Sequence, residues 1–171
     1  MEGFIGRSFT AQLRTVGEGF GGSVKLSPNT GIGRGGWLLV AANAERGDTF
    51  TFEYLRASDG RFHYAIKGAD NLGEHAGAAL GISTNGYLGL YQVAGVNNSW
   101  KIEVRPPRGV SRPMRFWLRS AAGYRIAAKP LARTTGTRYG GHYATGDHMA
   151  YLNANTGVLV EFELHQITLL D

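Results

Sequence analysis

The chain contains no cysteine. A disulfide framework and thiolate metal ligation are therefore excluded. It contains no run of 18 apolar residues, so no helical membrane span is expected. No stretch carries sustained helical periodicity with caps, which leaves little room for helix. Met1-Glu2-Gly3-Phe4 opens without a basic region leading into an apolar one. No signal peptide is expected, and the expected location is the cytoplasm or a non-classical export route. Motifs for chemistry are missing too. No serine sits in a Gly-x-Ser-x-Gly elbow. Gly31-Ile32-Gly33-Arg34-Gly35-Gly36 lacks the Lys-Ser/Thr of a phosphate loop and leads into a strand pattern. His142 and His148 are six apart, which is no compact metal spacing. Neither enzyme activity, metal nor cofactor is expected.

The most local deficit is in negative charge. No acidic residue lies between Glu103 and Asp147, yet that stretch carries nine of the chain's eighteen Lys and Arg: Arg105, Arg108, Arg112, Arg115, Arg119, Arg125, Lys129, Arg133 and Arg138. The formal net charge is +5. Such asymmetry predicts a positive face that attracts anions.

What is present is glycine, 26 of 171 residues, within an ordinary apolar content of 43%. That balance favours short strands and tight turns. A pattern recurs three times. A short strand ends in glutamate at Phe50-Thr51-Phe52-Glu53, Trp100-Lys101-Ile102-Glu103 and Val160-Glu161-Phe162-Glu163. A glycine stands seventeen positions before each glutamate, at Gly36, Gly86 and Gly146. A second anchor recurs in the same order: Leu13-Arg14-Thr15, Ile66-Lys67-Gly68 and Leu118-Arg119-Ser120.

Alternating apolar residues fill in the strands. Phe9 to Arg14, Ser23 to Ser27, Trp37 to Ala42 and Phe50 to Leu55 form the first set. Phe62 to Ile66, Ala79 to Ile82, Tyr87 to Val93 and Ser99 to Val104 form the second. Arg115 to Ser120, Tyr124 to Ala128, Met149 to Asn153 and Leu159 to Leu164 form the third. Ser58-Asp59-Gly60 reads as a turn. Twelve strands in three similar four-stranded units, of about 1–57, 58–110 and 111–171, predict an all-β fold. The expected architecture is a β-trefoil with pseudo-threefold symmetry, a single domain over 1–171. One such unit cannot bury its apolar face alone, whereas three share a core and satisfy their barrel edges. An antiparallel sandwich is the alternative. The apolar residues of the glutamate-ending strands should point inward, and Glu53, Glu103 and Glu163 should pair with Arg14, Lys67 and Arg119.

Leu118-Arg119-Ser120-Ala121-Ala122-Gly123-Tyr124-Arg125-Ile126-Ala127-Ala128 resembles the hairpin of fascin-like and lectin-like β-trefoils, and Phe50-Thr51-Phe52-Glu53 resembles the strand that follows it there. The ricin-type Gln-x-Trp triplet is absent. The resemblance implies a trefoil, in a superfamily of sugar-binding lectins, actin bundlers, growth factors and protease inhibitors. Fold alone does not confer function.

Two regions are candidates for ligand contact. Residues 137–148 gather Tyr139, His142, Tyr143 and Asp147 among glycines, with Asn153 close in sequence. A tyrosine ring can stack on the C–H face of a sugar, and the polar groups can bond its hydroxyls. The corresponding loops of the other units offer Asn43 and Glu45, or Asn97 and Asn98, with fewer aromatics. The second region is the basic stretch. Arg105, Arg108, Arg112, Arg115 and Arg138 could clamp sulfates or phosphates, and Phe116, Trp117 and Tyr124 interleave with the arginines. The expectation is a non-catalytic carbohydrate-binding module. Its partner would be a glycan or glycoconjugate, or a sulfated or acidic polymer, and a homo-oligomer would add avidity. Alternatives are a protein-binding trefoil (cytoskeletal, scaffold or protease inhibitor) and a polyanion binder acting through its third unit.

Overall fold

The computed structural model describes residues 3–17, 19–28, 35–92, 99–105, 113–130 and 148–170. It is all-β, with one turn of 3₁₀ helix at Gly73–His75. Among the described residues thirteen strands form: β1 (Phe9–Val16), β2 (Gly22–Leu26), β3 (Leu38–Ala41), β4 (Thr49–Ser58), β5 (Arg61–Gly68), β6 (Ala79–Ile82), β7 (Leu88–Tyr91), β8 (Trp100–Arg105), β9 (Arg115–Arg119), β10 (Ala127–Pro130), β11 (His148–Asn153), β12 (Val158–Leu159) and β13 (Glu161–Leu169). The thirteenth strand arises because the expected run from Leu159 is interrupted at Val160: Val158–Leu159 pairs with β10, while Glu161 onward pairs with β1.

Six strands close on themselves. β1 pairs with β4, β4 with β5, β5 with β8, β8 with β9, β9 with β13, and β13 with β1. Every pairing is antiparallel, and the ring has no free edge. The turn from β4 to β5 places both Asp59 and Gly60 at positive φ, 53° and 73°. This is the two-residue geometry whose twist matches a hairpin, and Asp-Gly is suited to it.

The remaining strands form hairpins β2–β3 and β6–β7 and the pair β10–β11. These meet one another. β3 bonds β11, Trp37 bridges Gly89, and Tyr87 bridges Asn153. The recurring glycines serve these junctions. Gly36 (φ +100°) and Gly86 (φ +88°) have left-handed backbones, and each carbonyl accepts a neighbouring hairpin's N–H, from Leu90 and from Ala154. A Cβ on Gly36 would lie 2.8 Å from the His75 ring, and one on Gly86 2.7 Å from the Asn155 amide. Neither the backbone nor the space admits a side chain. Gly146 lies outside the described residues.

Alternating apolar side chains of the ring strands fill the barrel. Phe9, Phe50, Phe52, Trp100, Ile102, Phe116, Leu118 and Phe162 are fully buried, and Val160 nearly so. The apolar residues expected to point inward therefore do. Phe9 stacks on Phe52 at 4.8 Å between ring centroids, and the Trp100 indole N–H donates to the Leu80 carbonyl at 3.0 Å. Each such side chain contributes about 1.5–3 kcal/mol through burial. The same alternation turns charged residues outward, which is how the wall described next is made.

Candidate functional site

On β8, burial of Trp100 and Ile102 sends Lys101, Glu103 and Arg105 outward. On β9, burial of Phe116 and Leu118 sends Arg115, Trp117 and Arg119 outward. Register then sets like charges face to face. Lys101 is opposite Arg119, Arg105 opposite Arg115, and Arg119 bridges to Arg125. Cross-strand cation pairs are unfavourable on their own.

Carboxylates relieve part of this repulsion. Glu103 takes three guanidiniums: Arg119 at 2.8 Å, Arg125 at 2.9 Å and Arg61 at 3.2 Å. Glu161 takes Arg105 and Glu163 takes Arg115, each at 3.3 Å. Burial opposes ionisation of Glu103, but hydrogen bonds from Arg125 and Arg119, and their charges, hold its carboxyl below the ordinary glutamate range. Lys101 has no carboxylate within salt-bridge distance among the described residues. On this wall six cations (Arg61, Lys101, Arg105, Arg115, Arg119, Arg125) thus stand against three carboxylates (Glu103, Glu161, Glu163).

Trp117 lies at the centre. The Arg125 guanidinium sits 4.7 Å, and that of Arg105 5.3 Å, from its ring centroid. Cation–π contact holds these planar groups without consuming their N–H donors. Tyr124, next to Arg125 in sequence, is 64% exposed. The neighbouring His63 registers the local field. Burial first, then the charges of Arg56 and Lys101, lower its pKa, and its Nε2 lies 2.8 Å from the Ser58 hydroxyl.

Of the expected anion-binding residues, Arg105 and Arg115 are thus on one wall, each already sharing a carboxylate. Arg108, Arg112 and Arg138 lie outside the described residues, as do Tyr139, His142, Tyr143 and Asp147. Asn153, the remaining sugar-contact candidate, lies among the described residues. It is fully buried. Its side-chain oxygen accepts the N–H groups of Asn155 and Thr156, and its amide donates to the Asn85 carbonyl. It organises a turn and ties two hairpins together.

Two of the three recurring glutamates pair with a recurring cation, but with the one from the following unit rather than their own. Lys67 bonds Glu53 at 3.0 Å, and Arg119 bonds Glu103. The third differs. Arg14 faces Glu163 directly across β1 and β13, yet it donates to the Ser23 hydroxyl at 3.2 Å. Glu163 is occupied by Arg115 and by His165, 3.2 Å away. Arg14 is left without a carboxylate among the described residues.

Arg14 instead lines a cleft of about 190 Å³. It is lined by Gln12, Leu13 and Arg14 of β1, Ser23 of β2, Glu45, Arg46 and Gly47, and His165 and Gln166 of β13. Sequence reasoning singled out Glu45 but missed the cleft, because its walls come from four separate segments brought together by the pairing of β1 with β2, β4 and β13. Within the described residues, no group of three or more His, Asp or Glu is arranged to hold a metal ion, and no helix is long and apolar enough to cross a membrane.

The chain matches no protein-family model, and no curated protein matches its sequence.

Proposed function

We propose that this chain is a non-catalytic, lectin-like β-trefoil module that binds an acidic glycan. The closed six-strand ring with its interlocked hairpins supports the trefoil assignment made from the threefold recurrence. One observation carries the ligand class: the outer face of β8 and β9 sets cations directly opposite cations, at a cost in stability, around a tryptophan. Sulfate or carboxylate groups of a glycan would supply the missing negative charge, through hydrogen bonds from the wall's cations. Tyr139, His142, Tyr143 and Asp147 keep their sequence-based role as further sugar contacts.

The test is a panel of neutral, carboxylated and sulfated oligosaccharides at low and high salt. Salt-sensitive binding to the acidic members, weakened by Lys101→Ala, supports the reading. Binding to neutral sugars alone, unchanged by salt, overturns it.

A further inference from the structure

The cleft between β1 and β13 adjoins the arginine wall at Glu163, which His165 of the cleft and Arg115 of the wall share. We infer that it is a subsite for a single hexuronate unit, a sugar ring bearing one carboxylate. This rests on the acidic-glycan reading and names the sugar class within it.

Four observations lead there. First, size: at about 190 Å³ the cleft is below the roughly 300–1,000 Å³ of drug-sized pockets, so it suits one ring.

Second, charge. Among the described residues Arg14 and Arg46 enter no ion pair, and Glu45 is the only carboxylate on the lining. Glu163, the natural partner of Arg14 by register, is held by Arg115 and His165. One cation is therefore in excess over Glu45, and a ligand carboxylate would restore balance.

Third, hydrogen bonding. The Gln12 carbonyl oxygen accepts the Gly47 N–H at 3.3 Å, which turns its amide NH₂ to the other side as a donor. Gln166 adds a second amide, and Glu45 adds an acceptor. Glu45 needs hydroxyl donors and repels a bare sulfate or phosphate. Hydroxyls and a carboxylate on one ring satisfy both requirements.

Fourth, the backbone. The β1–β13 register slips between Thr10 and Gln12, and at that bulge Gln166 takes φ +53°. A non-glycine residue rarely adopts this conformation, and bulges re-aim side chains. Here the bulge brings Gln166 to the cleft beside His165.

The experiment is an amide-resolved NMR titration of the full chain with glucuronate, glucose and inorganic sulfate in turn. Glucuronate should move the amides of Gln12, Gly47 and Gln166 saturably. Glucose and sulfate should bind at least about tenfold more weakly, the loss of one charged hydrogen-bonding set. Arg14→Gln should weaken glucuronate by about the same factor. Arg46→Ala, at an exposed position where folding is not at stake, should also weaken it, while Lys101→Ala on the wall leaves it unchanged. Absence of these shifts, while a sulfated polymer still binds the wall, overturns the subsite and leaves the acidic-glycan reading intact. Equal affinity for glucose, or indifference to Arg46→Ala, overturns it as well. Saturable glucuronate shifts without binding of any acidic polymer would keep the subsite and overturn the broader reading.

Discussion

Replacing Glu103 by glutamine should weaken the fold and tighten polyanion binding together. The carboxylate holds three guanidiniums and is 22% exposed. Arg119, 15% exposed and 2.8 Å away, makes a charge-assisted bond worth about 2 kcal/mol. Arg61 and Arg125, 30% and 34% exposed, are screened, and each adds about 0.5 kcal/mol. The amide of Glu103→Gln keeps one acceptor oxygen, so the net loss is about 2 kcal/mol. For a chain of this length that is a fall in Tm of about 4–8 °C. The readout is urea and thermal denaturation at neutral pH. The loss should shrink on acidification. Glu103 has a depressed pKa in the folded state, so its stabilisation is complete above the unfolded value, about 4.3, and disappears as pH falls through the folded value. At the same time the wall loses a negative charge, and its affinity for a sulfated polymer should rise. A loss under about 0.5 kcal/mol, or weaker polymer binding by a folded variant, would refute the reasoning that Glu103 restrains an over-charged wall.

Other perturbations follow from the same structure. Gly86→Ala places a methyl 2.7 Å from Asn155 at φ +88° and should cost about 2–3 kcal/mol in denaturant unfolding. Trp100→Phe leaves the Leu80 carbonyl without its indole donor and should cost about 2 kcal/mol, read by the same titration. His63 has a lowered folded pKa. The unfolded chain therefore binds its proton first, so stability should fall as pH drops below about 6.5, and His63→Gln should flatten that slope.

Much of the barrel was legible because it depends on local alternation. The strand ending in glutamate buries its apolar residues at all three occurrences, and Ser58-Asp59-Gly60 turns as its residue types demand. The left-handed glycines at 36 and 86 were visible as a recurrence before their reason was. What stayed hidden depends on long-range register. Alternation sets Arg14 and Glu163 on outward faces, but it does not reveal that Arg115 and His165 reach Glu163 first. Asn153, at the end of an expected strand, reads from sequence as a hydrogen-bonding contact to ligand. The following Ala154-Asn155-Thr156-Gly157 is a turn signal, and an asparagine before such a turn commonly bonds its backbone, so that clue was present. The cleft left no such trace, because residues 12–14, 45–47 and 165–166 converge only through the long-range pairing of β1 with β4 and with β13.

The most direct test compares one polysaccharide in its sulfated and desulfated forms, with affinities measured between about 50 and 200 mM salt. The account predicts that only the sulfated form binds tightly, that log affinity falls linearly with log salt, and that Lys101→Ala makes the slope shallower. Equal affinity for the two forms, or a slope near zero, would contradict the assignment of the arginine wall to an acidic glycan.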